Sequence, residues 1–138
     1  MDKNSQEIIM QAAVLQQQSE ETEQNLAFIN NQLSELQEFG NDISFMAQNK
    51  GKEIFSLIGK GVYSRASLSD SDFFVNVGSG ILVKKSREET KNIIYSQIEK
   101  LTEAKVQLMA QMENFHLKLR ELIREIEKIK SRNKPINS

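Results

Sequence analysis

His116 is the only histidine, the chain has no cysteine, and no second group converges on that imidazole in the sequence. Metal ligation and nucleophilic catalysis both need several converging side chains, so His116, next to Phe115, reads as a flanking surface residue. Two Gly-x-Gly triplets, Gly59-Lys60-Gly61 and Gly78-Ser79-Gly80, invite a phosphate-binding reading. Neither is followed by Gly-Lys-Ser/Thr and neither opens a helix directly after a strand, so they are expected to be hairpin turns. The basic run Lys128, Lys130, Arg132, Lys134 has no interleaved aromatics. It therefore lacks the stacking platform of a single-strand binder and reads as a solvated helix end. These residues give no catalytic constellation, no metal site and no cofactor site, and the chain is not expected to be an enzyme.

The bulk composition narrows the classes further. Charged residues make up 27% of the 138 positions with a formal net charge of -1, which argues against a nucleic-acid binder. No apolar run approaches the roughly 18 residues of a membrane span. Met1 to Gln11 lacks the charged-then-apolar pattern of a signal peptide, and the absence of cysteine gives no pointer to an oxidising compartment. A cytoplasmic protein with no membrane partner is expected.

The elements follow from periodicity. Residues 1–48 carry a seam spaced alternately by four and three: Ile8, Ala12, Leu15, Ser19, Thr22, Leu26, Ile29, Leu33, Leu36, Gly40, Ile43. Its narrow stripe suits a coiled coil better than a globular helix face. Asn4 with Glu7 is expected to cap the start, Gly40-Asn41 to bend or fray the helix, and Asn49-Lys50-Gly51 to stop it. In residues 86–134, Ser86-Arg87-Glu88-Glu89 forms a capping box. The seam that follows is Ile94, Ile98, Leu101, Lys105, Leu108, Met112, Phe115, Leu119, Leu122, Ile126, Ile129, where only Lys105 is polar. Pro135 ends the pattern and leaves a tail, residues 135–138.

Between the helices, residues 49–85 switch to extended periodicity. Glu53–Ile58 and Val62–Ala66 flank the first triplet, and Phe73–Val77 and Ile81–Lys84 flank the second. Two β-hairpins are expected, with the turn-rich segment from Ser67 to Asp72 between them. Apolar residues fall on both faces of these strands, so the hairpins need cover on both faces. An isolated hairpin is marginal in water and its edges invite pairing, which makes the insert an oligomerisation platform. Its assembly residues are expected to be Ile54, Phe55, Leu57, Val62, Tyr63, Phe73, Phe74, Val75, Val77, Ile81, Leu82 and Val83.

The chain thus reads as a single unit, residues 1–138: mainly α with a small β insert, its two helices zipped into a long antiparallel coiled-coil hairpin. Residue n should lie beside about 135 minus n, and each arm of about 44 residues should extend on the order of 66 Å. Residues 1–40 hold seven acidic side chains against Lys3 alone, whereas Lys118 to Lys134 is base-rich, so the two arms attract. At the far end, apolar residues stand off the seam. Ile9, Met10, Ala13 and Val14 on one helix and Leu117 and Ile123 on the other exceed what two helices can bury. With the neighbouring seam residues Ile8, Ile126 and Ile129 they form a candidate binding tip, where methionine suits varied partners.

The segments Glu53-Ile54-Phe55-Ser56-Leu57-Ile58-Gly59-Lys60-Gly61-Val62-Tyr63 and Val75-Asn76-Val77-Gly78-Ser79-Gly80-Ile81-Leu82-Val83-Lys84-Lys85-Ser86 resemble the prefoldin family, in particular its archaeal-type α-class subunits. The resemblance covers essentially the whole chain. Two departures are Leu57, where the family often has proline, and Lys84, where an acidic residue is common. The resemblance implies a hexamer of two α-class and four β-class subunits, whose hairpins close a double β-barrel body. It also implies an ATP-independent holdase that captures non-native proteins at its coiled-coil tips and delivers them to a group II chaperonin. The alternative, from the same seams and charge asymmetry, is a structural coiled-coil adaptor recognising one folded partner.

Overall fold

The computed structural model describes residues 3–69 and 72–132. Asp70 and Ser71 of the linker, and Lys134, Pro135 and the tail to 138, lie outside the described residues. Two long helices bracket four short strands: α1 (Lys3–Gln48), β1 (Glu53–Gly59), β2 (Val62–Ser67), β3 (Phe73–Asn76), β4 (Leu82–Lys85) and α2 (Arg87–Arg132).

Both helices bury the stripe that their heptads specify. Every seam position from Ile8 to Ile43 and from Ile94 to Ile129 is buried or half-buried, Gly40 and Lys105 included. A repeat averaging 3.5 residues keeps one line of side chains on the same side of the helix, which is why so few flanking positions are covered. Two local expectations are corrected. α1 is already helical at Lys3, so Asn4 lies inside its first turn and does not cap it. Gly40 interrupts nothing, because α1 is continuous through Gly40-Asn41 and the glycine lies against Ile94.

The chain divides into two compact units, one joining residues up to Asn31 with those from Thr102 onward, the other being Gln32–Leu101. In the first, Asn4 and Ile8 share a groove with Glu125, Lys128, Ile129 and Arg132, and the Ser19 hydroxyl donates to Met112 Sδ across 3.7 Å. Low numbers meet high numbers, the antiparallel order. Ser5, Ser19 and Thr22 are buried polar residues on this part of α1. The Thr22 hydroxyl donates to the Gln18 carbonyl at 2.9 Å, so its burial leaves no unsatisfied donor.

In the second unit the end of α1 is stitched to the first hairpin. Gly51, in the left-handed region at φ 86°, donates its N–H to the Leu68 carbonyl, and Leu68 donates to Lys52. β1 and β2 are antiparallel, with Phe55 opposite Arg65 and Leu57 opposite Tyr63, and the register shifts between Leu57 and Gly59. Lys60 and Gly61 have φ of 51° and 80°, the pair of positive values a two-residue type I′ turn demands. Ser79 and Gly80 repeat that construction between β3 and β4, where Asn76 Oδ1 also accepts from the Gly78 N–H.

α2 opens on the expected capping box. Ser86 Oγ accepts from the Glu89 N–H at 3.1 Å, and the Ser86 carbonyl accepts from both the N–H and the hydroxyl of Thr90. Hydrogen bonds from the Ser86 side chain and then its backbone hold the Glu89 carboxyl below its ordinary value, with Lys85 adding a smaller pull. Lys85 Nζ lies 3.5 Å from that carboxylate. The two orphan ends of the first turn are thus satisfied reciprocally.

Candidate functional site

Two surfaces stand out, both apolar and both uncovered. The first is built on the hairpins. In β3 and β4, Phe73 pairs with Lys85 and Val75 with Val83 on one face, and all four are half-buried. All four β3 residues, Phe73 to Asn76, line a groove with Phe39, Ile43, Met46, Ile93 and Ile94, and burial marks the Phe73 and Val75 face as the more covered one. The opposite face carries Phe74, Asn76, Leu82 and Lys84, all exposed. The second hairpin therefore leaves Phe74 and Leu82 largely in solvent, 63% and 62% exposed.

The first hairpin is barer still. Phe55, 72% exposed, shares a face with Leu57 and Tyr63, and Val62 and Ile58 are uncovered as well. Only Ile54 and Ala66 on these two strands are half-buried apolar residues. Of the expected assembly residues, Phe55, Leu57, Val62, Tyr63, Phe74, Val77, Ile81 and Leu82 are exposed, while Ile54, Phe73, Val75 and Val83 are half-buried. Ile58 belongs with the exposed set. Two-residue alternation puts it on the face of Ile54, and it lies at the register shift before Gly59.

Both positions that depart from the resemblance remain paired in their strands, although the β1–β2 register shifts just after Leu57. Leu57 keeps its place in the β1–β2 ladder, and Lys84 lies 3.7 Å from Asp72 in an ion pair.

The second surface belongs to the first unit. Met10 is 68% exposed and Val14 54%, with Ile9 and Ala13 also outward. On α2, Leu117 and Ile123 are about half exposed. Ile8 is buried in the seam and Ile126 and Ile129 are half-buried there, so they support this surface from beneath. Phe28, Val106 and Met109 are further exposed apolar residues of the unit. Heptad spacing announces Phe28, because 10, 14 and 28 fall on one line parallel to the seam.

The chemistry available at both surfaces is contact and pairing. His116 is exposed, and no group of three or more histidine, acidic or cysteine residues among the described residues is placed to hold a metal ion. No helix is long and apolar enough, among the described residues, to cross a membrane.

Known proteins match this architecture. The family model for prefoldin subunits matches residues 15–133. Prefoldin subunit alpha 2 of Thermococcus kodakarensis is 31% identical over 83 residues, 59% of this chain and 58% of that protein. Prefoldin subunit alpha of Picrophilus torridus is 26% identical over 104 residues, 73% of each. The matched stretch thus spans only 58% of the Thermococcus relative and the same share of a prefoldin subunit alpha from Methanosphaera stadtmanae. A chain in the cryo-EM structure of filamentous PFD from Methanocaldococcus jannaschii superposes with a TM-score of 0.70 at 17% identity, covering 87% of this chain and 98% of that one, a likeness of fold. With two hairpins set between two heptad-patterned helices, and with alpha subunits as its curated relatives, this chain belongs to the prefoldin family, on its archaeal-type α-class side.

Proposed function

We propose that the chain is a subunit of an ATP-independent holdase that captures non-native proteins on the outward apolar residues of its first unit. The observation that carries this reading is the exposure of Ile9, Met10, Val14, Leu117 and Ile123 beside a seam that is already filled. Large apolar groups left in water at the surface lower free energy by covering similar groups elsewhere, without demanding a particular sequence. Several such arms held together would add weak contacts through effective concentration. The uncovered faces of both hairpins supply the means of holding them. Their occupants are taken to be β-class prefoldin subunits, in a hexamer of two α and four β, with delivery of the captured chain to a group II chaperonin in the cytoplasm.

The test is suppression of aggregation of a denatured client by the assembled complex. Replacing Ile9, Val14 and Ile123 together with serine is expected to reduce suppression several-fold while native mass and helix content are kept. Undiminished suppression by an intact assembly refutes the reading. A complex that saturates with one folded protein and ignores denatured ones points instead to an adaptor.

A further inference from the structure

The first part of α1 carries a second line of residues spaced three and four apart, Glu7, Met10, Val14, Gln17 and Glu21, and every one is exposed. Met10 and Val14 form its apolar centre, in an open groove shared with Gln11 and Leu15. Carboxylates stand above and below. Neither Glu7 nor Glu21 is engaged by an ion pair or hydrogen bond among the described residues. Lys128 and Arg132 line a separate groove with Asn4 and Ile8. Lys3 is the only basic residue in the first forty positions, so nothing basic lies on α1 between the two glutamates.

An apolar centre bracketed by two free carboxylates complements a segment that is apolar in the middle and cationic at its ends. The glutamates stand fourteen helical positions apart, a span of about 21 Å. An extended chain covers that distance in about six residues. We propose that the Glu7–Glu21 face of α1 selects, among non-native chains, extended apolar segments flanked by lysine or arginine about six residues apart. The inference rests on the holdase reading of this surface and adds to it a client class. Opposite charges at the rim favour encounter and register while the apolar middle supplies the contact area.

Fluorescent seven-residue peptides with five apolar residues between two terminal lysines, two glutamines or two glutamates test this directly on the complex assembled with its prefoldin partners. Two exposed ion pairs predict that the lysine peptide binds about fivefold more tightly than the glutamine peptide at low salt, with the glutamate peptide weakest. In 1 M salt the ranking should flatten. In the double variant E7Q/E21Q the ratio between lysine and glutamine peptides should fall to about one. A preference that survives in that variant, or equal binding of the lysine and glutamine peptides to the unaltered complex, overturns the inference. The variant Met10→Ser with Val14→Ser is expected to weaken all three peptides alike. If it weakens none, the holdase reading of this surface fails, and if no peptide binds at all both readings fall.

Discussion

Gly40 sits inside α1 at a seam position, and a Cβ built on it would meet Ile94 Cγ2 at 3.8 Å, an ordinary van der Waals contact. Replacing it with alanine therefore restricts the unfolded chain, favours the helix and fills space without a clash. Glycine in a helix interior costs about 1 kcal/mol relative to alanine, and one added buried methyl contributes up to about 0.8 kcal/mol. Gly40→Ala should stabilise the chain by about 1–1.5 kcal/mol, which for this size raises the melting temperature by roughly 3–6 °C. Thermal unfolding of the assembled protein followed by circular dichroism is the assay, with Gly40→Leu as the control. Leucine extends beyond the Cβ into the volume that Ile94 occupies, so it should destabilise by about 1–3 kcal/mol. A lower melting temperature for the alanine variant would refute the reasoning, because it would mean that the glycine holds the helices at a separation that a methyl cannot share.

The contrast between neighbours on α2 tests the seam itself. Ile94 is 4% exposed and Tyr95 61%, so Ile94→Ala should cost about 2–4 kcal/mol by denaturant unfolding and Tyr95→Ala less than about 1 kcal/mol. At the start of α2, Ser86→Ala should destabilise by about 1 kcal/mol through loss of the cap. The Glu89 carboxyl is held below its ordinary value of 4.5. Its share of the cap is therefore fully present above that value and is lost as pH falls through the lowered one, a dependence that acid titration of stability should show in the unaltered chain and, with only the Ser86 backbone and Lys85 left to hold the carboxyl, more weakly in Ser86→Ala.

The seams were readable because a period of 3.5 leaves little choice: each position from Ile8 to Ile43 and from Ile94 to Ile129 falls where the heptads place it. The polar members Ser19, Thr22 and Lys105 did not break the pattern, since their neighbours four and three residues away fix which side of the helix they share. Local rules fared worse where packing decides. Gly40 is unfavourable by propensity, yet the seam carries α1 straight through it. The capping pattern at Asn4 competes with a helix that has already begun at Lys3. Phe73 and Phe74 are indistinguishable in the sequence, and only the pairing of β3 with β4 puts them on opposite faces, one half-buried and the other exposed. The outward apolar residues of the first unit were legible as a surplus over the seam, and Ile8, Ile126 and Ile129, seam members by their spacing, are buried or half-buried as that spacing requires.

That surplus also explains how stability and binding are kept apart in so small a cross-section. A two-helix coil has one buried line per helix, and here those lines are complete without Met10, Val14, Leu117 or Ile123. Outer residues can therefore change without cost to the seam, and seam residues can hold the helices without serving a client. The hairpins show the opposite arrangement, for among the described residues nothing covers Phe55, Leu57 and Tyr63, and on the proposed reading β1 and β2 gain cover from another subunit. On the proposed reading, assembly is a condition of stability for the insert, whereas client contact on the helices is free to be weak and reversible. Substitutions at the exposed hairpin face should accordingly lower complex formation and thermal stability together. Those at the outer line of α1 should move binding alone.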